Sequence, residues 1–297
     1  MTAVAILGLG RMGSAMARAL SGGDVDLVLW NRSAGRAETM AADLGGRAVR
    51  SPADAAAAAD VAITMLADGE AVASVWAGPE GLLARARPGS VLVDMSTVAP
   101  DTLPPYADRA RDAGCGILDA PVSGSVSLAE AAKLTVMAGG EASDLERARP
   151  ILDRLAQQVF HMGALGSGHA MKLAVNGVIF ALNNATGEAL VLAERAGIER
   201  ERAYEVLAAS AAGAPFVAYK RDAFLQPDTE PVAFSLELAA KDLDLITQLA
   251  HDLGVPMAQA RANRELIGQA ADGVGADRDF SAVATHLRDR SGEGRDH

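Results

Sequence analysis

The stretch from Val4 to Leu20 narrows the possible folds more than any other. Val4-Ala5-Ile6-Leu7 is a short continuous apolar run, suited to a strand buried on both faces. Gly8-Leu9-Gly10-Arg11-Met12-Gly13 follows, and Ser14 to Leu20 has helical character. A GxGxxG turn alone is a weak signal, but between a strand and a helix it stands in the context that its chemistry needs. Gly8 permits the tight turn, Gly10 lets a pyrophosphate approach the backbone, and Gly13 lets the helix pack close to the strand. The N–H groups at the helix start favour negative charge. Residues Gly8, Leu9, Gly10, Arg11, Met12 and Gly13 are therefore expected to bind a dinucleotide.

The next apolar run, Asp26 to Trp30, ends in Asn31-Arg32-Ser33. This is where a site that prefers NAD places an acid against the ribose hydroxyls. Asn31 stands there instead, and an arginine can form a forked pair with a 2′-phosphate. The expected cofactor is NADP, with NADPH preferred over NADH and Asn31, Arg32 and Ser33 as its contacts. The plainer reading of Arg32 is a solvated charge at a strand end.

Strand-like runs then alternate with helical ones: Val61 to Leu66, Val91 to Met95, Ile117 to Val122, Leu134 to Ala138 and Val159 to His161. That alternation predicts an α/β architecture, an N-terminal Rossmann doubly wound parallel sheet. Ligands bind such sheets at the carboxyl ends of the strands. Met65, Leu66, Thr97, Ser123 and Gly124 fall at those ends. After about residue 165 the strands stop, and helical runs cover Ala170–Ala196, Glu201–Ala209, Leu236–Asp252 and Met257–Ala271. The expected division is 1–164 for dinucleotide binding, 165–290 for an all-helical domain, and 291–297 for a frayed polar tail.

The entry into the helical part is Gly166-Ser167-Gly168-His169-Ala170-Met171-Lys172-Leu173-Ala174-Val175-Asn176. Residues four apart share a helix face, so Lys172 and Asn176 point the same way. A lysine in an otherwise apolar helix is costly to bury unless it is paired or functional. Lys172 is the expected acid/base; a solvated charge at a helix start is the ordinary alternative.

Composition excludes some other classes. The chain has 297 residues, half of them hydrophobic, and a net charge of −11, which argues against nucleic-acid binding as its main role. A single cysteine, Cys115, forbids an internal disulfide, and a reducing cytoplasm is the expected compartment. The amino terminus lacks the pattern of a signal peptide. The most apolar later stretch, Leu173 to Leu192, is interrupted by Asn176, Asn183, Asn184 and Glu188, so it reads as a buried helix with no membrane span. No metal-ligand spacing is evident, His161 and His169 read as structural, and Cys115 reads as inert.

Taken in order, the motifs resemble the β-hydroxyacid dehydrogenases, which include 3-hydroxyisobutyrate dehydrogenase, tartronate semialdehyde reductase and the glyoxylate/succinic semialdehyde reductases. The resemblance covers nearly the whole chain. It runs through Gly8-Leu9-Gly10-x-Met12-Gly13, Asp94-x-Ser96-Thr97-x-x-Pro100, Asp119-Ala120-Pro121-Val122-Ser123-Gly124, Gly166-x-Gly168-x-x-x-Lys172-x-x-x-Asn176 and Lys241-Asp242-Leu243. Trp30-Asn31-Arg32-Ser33 looks most like the NADPH-using semialdehyde reductases.

The resemblance implies oxidation of a small β-hydroxyacid, or reduction of its semialdehyde or ketoacid. Lys172 would exchange the proton at the reacting oxygen, and Asn176 would steady the lysine or a substrate oxygen. Ser123 and the backbone at Gly124 would hold the substrate carboxylate. Thr97 and Lys241 match cofactor contacts, while Asp242 and Phe234 match residues closing the substrate end. Phe234 reads equally well as core, and Lys241-Asp242 as a surface pair. A homodimer or dimer of dimers is implied. Ser125, Ala132 and Gly177 depart from the family pattern around the substrate end. The alternatives are an NADPH-dependent imine reductase, which generally lacks this lysine and the Asp119–Gly124 segment, and a non-catalytic NADPH-binding module.

Overall fold

The computed structural model describes residues 1–293. Two compact units divide the chain, the first Met1–Lys172 and the second beginning at Leu173. The first unit alternates strands and helices: β1 (Thr2–Leu7), α1 (Arg11–Leu20), β2 (Val25–Trp30), α2 (Ala34–Leu44), β3 (Arg47–Ala48), α3 (Pro52–Ala58), β4 (Val61–Thr64), α4 (Gly69–Ala77), β5 (Val91–Asp94) and α5 (Ala107–Asp112). It continues with β6 (Gly116–Asp119), β7 (Val122–Ser123), α6 (Val126–Glu130), β8 (Leu134–Gly140), α7 (Ala142–Leu152) and β9 (Ala156–Gly163).

Among the described residues these strands form one sheet in the order β3-β2-β1-β4-β5-β6-β8-β7, with β9 beside β8. The run from β3 to β6 is parallel throughout. The far side departs from the all-parallel expectation, because β8 is antiparallel to both β6 and β7. The apolar run expected as one strand from Ile117 to Val122 is two, since Ala120-Pro121 breaks the ladder between β6 and β7. Met65 and Leu66 lie just past β4 rather than within it.

Period two explains how β1 is buried on both sides. Val4 and Ile6 join one apolar cluster while Ala5 and Leu7 join another, and none of the four is exposed. Each fully buried large side chain among them contributes about 1.5–3 kcal/mol. Chain order reverses at β1, with β2 on one side and β4 on the other. That reversal opens a crevice at the carboxyl end of β1, where the glycine turn lies.

The long helix α8 (Ser167–Arg195) begins in the first unit and runs on into the second. The second unit continues with α9 (Arg200–Ala209), α10 (Pro215–Tyr219), α11 (Arg221–Leu225), α12 (Leu236–Asp252), α13 (Ala258–Val274) and α14 (Val283–Glu293). Its core holds Leu173, Phe180, Tyr204, Phe224, Leu243 and Phe280. Helices α10, α11 and α14 go beyond the helical runs read from sequence. Ser291–Glu293, assigned to the polar tail, end α14, and residues 294–297 of that tail lie outside the described residues. Among the described residues no helix is long and apolar enough to cross a membrane.

Candidate active site

The glycine turn is built as its spacing requires. Gly8 has φ +98°, and a Cβ there would lie 2.3 Å from the Met65 carbonyl oxygen. A Cβ on Gly13 would lie 2.0 Å from the Gly8 carbonyl oxygen, so α1 packs on the turn at backbone contact. Gly10 is different: its missing side chain faces open space. Gly10 is also the N-cap of α1, with no side-chain cap and no acid in the first turn. The helix start thus keeps both its partial positive charge and room in front of it, as a pyrophosphate requires.

Asn31 has a function that its position alone did not reveal. Its Oδ1 accepts the Leu9 N–H at 3.0 Å, and its Nδ2 donates to the Ser33 carbonyl at 3.3 Å. It braces the glycine turn against the end of β2. Arg32 and Ser33 are exposed at the same strand end. Leu66 follows β4, and its N–H donates to Ser96 Oγ at 2.9 Å. Thr97 follows Ser96 and is half-buried. Ser123 ends β7 half-buried, and Gly124 beyond it has φ +143°, with Leu134 and Leu128 side chains where a Cβ would stand. Ser125 caps α6 by accepting from Leu128 N–H at 3.3 Å, a use that glycine there could not supply.

Lys172 lies in the first turns of α8, half-buried. The turn before it is bonded to the ends of two neighbouring parallel strands. Asp119, the last residue of β6, accepts the Gly166 N–H and the His169 N–H, each at 2.7 Å. Asp94, the last residue of β5, accepts from His169 Nε2 at 3.1 Å. A carboxylate only accepts, so Nε2 carries the proton. Thr64 Oγ1 at 2.5 Å and Ser96 Oγ at 2.8 Å hold the other Asp94 oxygen, and Trp76 Nε1 donates to Thr64 at 3.1 Å. Asp94, Asp119 and His169 are fully buried. Burial pushes the Asp119 carboxyl above its ordinary range, against the lowering pull of His169 and of the backbone N–H groups. His169 is thus structural, as its sequence suggests, but it bridges two strand-end carboxylates. The signal for this was present as Asp94 and Asp119, each closing an apolar strand.

In the second unit Asn176, on α8, donates from Nδ2 to Asp242 Oδ2 at 2.7 Å. Asp242 is 1% exposed, and its Oδ1 meets Lys241 Nζ at 2.9 Å. Lys241–Asp242 is therefore a half-buried pair tied to Asn176. Phe234 stacks on Phe180 with ring centroids 6.1 Å apart and meets Phe280 edge-on at 5.6 Å, so it has core contacts while remaining half-buried. Cys115 is buried, with its thiol pushed up by burial.

Comparison with known proteins identifies the family and agrees with the fold. Residues 3–163 match the NAD binding domain of 6-phosphogluconate dehydrogenase, and residues 166–287 match the family described as NAD-binding of NADP-dependent 3-hydroxyisobutyrate dehydrogenase. The chain is 32% identical over 285 residues to glyoxylate/succinic semialdehyde reductase 2, chloroplastic, of Arabidopsis thaliana, covering 96% of this chain and 79% of that protein. It is 33% identical over 293 residues to 3-sulfolactaldehyde reductase of Escherichia coli, covering 98% of each. The solved structure of Mycobacterium tuberculosis 3-hydroxyisobutyrate dehydrogenase with L-serine superposes with a TM-score of 0.84 at 35% identity, covering 97% of this chain and 99% of that one. The chain belongs to the β-hydroxyacid dehydrogenase family, NAD(P)-dependent oxidoreductases that act on CH–OH groups.

Proposed function

We propose that the protein interconverts a small β-hydroxyacid and its semialdehyde or ketoacid with NADP(H), using Lys172 as proton donor and acceptor. What carries the reading is the bonding of the turn just before Lys172, through Gly166 and His169, to the last residues of β5 and β6. The carboxyl ends of parallel strands are where such sheets hold ligands. Ser123 and Gly124 follow the same edge and are assigned to the substrate carboxylate. The glycine turn fits a nicotinamide dinucleotide, which supplies or accepts the hydride when bound.

In the reducing direction the carbonyl oxygen gains negative charge as hydride reaches carbon. The Lys172 ammonium stabilises that charge and gives the oxygen its proton. The Asp242 bond turns the Asn176 amide so that its nitrogen is used and its Oδ1 is left to accept from a hydroxyl or an ammonium. Preference for NADPH is supported by exposed Arg32 beside Asn31, with no acid at that strand end to repel a 2′-phosphate. A dimer is supported by exposed Val178 and Leu192, both on α8 and 60% and 73% exposed.

The test is an NADPH-oxidation screen over glyoxylate, succinic semialdehyde, methylmalonate semialdehyde and tartronate semialdehyde, with a cyclic imine in parallel. Reduction of at least one carbonyl acid, with Lys172→Ala lowering kcat by about 10²–10⁴-fold at nearly constant NADPH affinity, is the expected result. Turnover of the imine alone, or full activity of Lys172→Ala, would refute it.

A further inference from the structure

We propose that Asp119, Asp94 and His169 are positioning residues for Lys172: the two strand-end carboxylates hold the first turn of α8, one by capping it and one through the imidazole. The inference rests on Lys172 being the proton donor.

A helix start leaves four N–H groups without intrahelical partners, and a side chain just before the helix usually accepts from them. Here the cap comes from far away in sequence. Both Asp119 oxygens are used, on Gly166 and His169, 47 and 50 residues further along the chain. An exposed local Ser or Asp would start the helix for about 1 kcal/mol without burying a charge. Burying a carboxylate is far costlier, and burial shifts Asp119 upward accordingly. The arrangement is poor value as a helix initiator and well suited to holding one turn in one place.

Steric contact supports this. A Cβ on Gly168 would stand 2.2 Å from the Met137 carbonyl oxygen, and one on Gly139 would stand 2.4 Å from Asp119 Oδ1. The turn therefore lies in backbone contact with β8, with the Asp119 carboxylate wedged beneath it. His169 completes the clamp, since its backbone N–H goes to Asp119 and its ring to Asp94. Its Nδ1, buried and without a hydrogen-bond partner, lies 3.9 Å from Asp119 Oδ2. Asp94 is itself immobilised by Thr64 and Ser96. Lys172 follows three residues after His169, one turn along the helix, so a slip or rotation of the clamped turn carries the ammonium with it. A displacement of about 1 Å at a reacting group costs on the order of 100-fold in rate.

The test uses full-length protein with NADPH and whichever of the four carbonyl acids is reduced fastest. Asp119→Asn and His169→Leu are expected to lower kcat by about 100-fold, with KM and NADPH affinity within about threefold. His169→Gln, whose amide can still donate to Asp94, is expected to recover at least about tenfold of the rate lost in His169→Leu. Hydrogen exchange at the 169–172 amides should rise in Asp119→Asn. A loss in KM rather than kcat, or equal rates for the two His169 variants, overturns the proposal; the His169 pair decides it if Asp119→Asn does not fold. If Lys172→Ala keeps its rate, the reading of Lys172 falls by itself. Exchange in Asp119→Asn, or in His169→Leu, then decides whether the clamp holds the turn, and unchanged exchange overturns it.

Discussion

Replacing Lys220 by methionine should cost the helical unit about 3 kcal/mol, the low end of the range for breaking a buried ion pair. Lys220 Nζ lies 2.7 and 2.8 Å from the two Asp279 oxygens, with the side chains 4% and 10% exposed. The ammonium also sits 4.4 Å from the Phe280 ring centroid. Methionine keeps the apolar stem but leaves Asp279 as a buried charge. That charge is not wholly abandoned, because Asp279 still accepts from the N–H groups of Ala233 at 3.0 Å, Phe234 at 3.2 Å and Ser281 at 3.0 Å. Those bonds place the estimate at about 3 rather than 5 kcal/mol, a fall in Tm on the order of 10 °C.

Far-UV ellipticity should be followed in parallel with tryptophan fluorescence, since Trp30 and Trp76 both belong to the first unit. Adding Asp279→Asn removes the orphaned charge and should return at least about 1 kcal/mol, a coupling expected only of groups in direct contact. A Lys220→Met variant within about 0.5 kcal/mol of the parent, or strictly additive single variants, would show that the pair does not carry this load.

Other expectations follow from particular residues. Arg32→Ala should weaken NADPH by about 10–100-fold and NADH by little, as measured by fluorescence titration; equal effects would remove the case for a 2′-phosphate contact. Ala132→Gly should stabilise the first unit by roughly 0.5–1 kcal/mol in urea unfolding. Ala132 has φ +55°, at the left-handed position of a helix-ending motif closed by Lys133 N–H to Leu128 O and Ala132 N–H to Ala129 O. Burial pushes Glu194 up, but Arg288 and Arg200 outweigh this and hold its carboxyl below the ordinary range. Its contribution is therefore present above its unfolded value of about 4.3 and lost as pH falls below that. Glu194→Gln should flatten the stability profile on that acid side, and an unchanged profile would count against the pairing.

The fold was legible where local chemistry and tertiary context agree. Gly8, Gly10 and Gly13 occupy the positions that a strand-turn-helix demands, and the alternation after them carried the doubly wound sheet. The break at Ala120-Pro121 and the antiparallel course of β8 were not legible. Both depend on which strand lies next door, and periodicity within one segment does not encode that. Lys172 stood out as a charge in an apolar helix. Its clamp did not, because Asp94 and Asp119 read as polar ends of strands until the helix start is brought against them. Asn31 was similarly hidden: its position suggested a ribose contact, whereas its bond to Leu9 can be seen only once β1 and β2 are paired.

The distant origin of the α8 cap has a consequence for the order of folding. Local sequence can nucleate the body of α8, but the Gly166 and His169 N–H groups at its start are met by a carboxylate at the end of β6, and the His169 imidazole by a carboxylate at the end of β5. Contacts this far apart form after the intervening loop closes, so the turn that leads into Lys172 should be among the later parts to acquire its final geometry. A newly made chain would carry its lysine on a frayed helix end until the sheet is assembled. The final position of that nitrogen then belongs to the finished α/β unit and not to its folding intermediates.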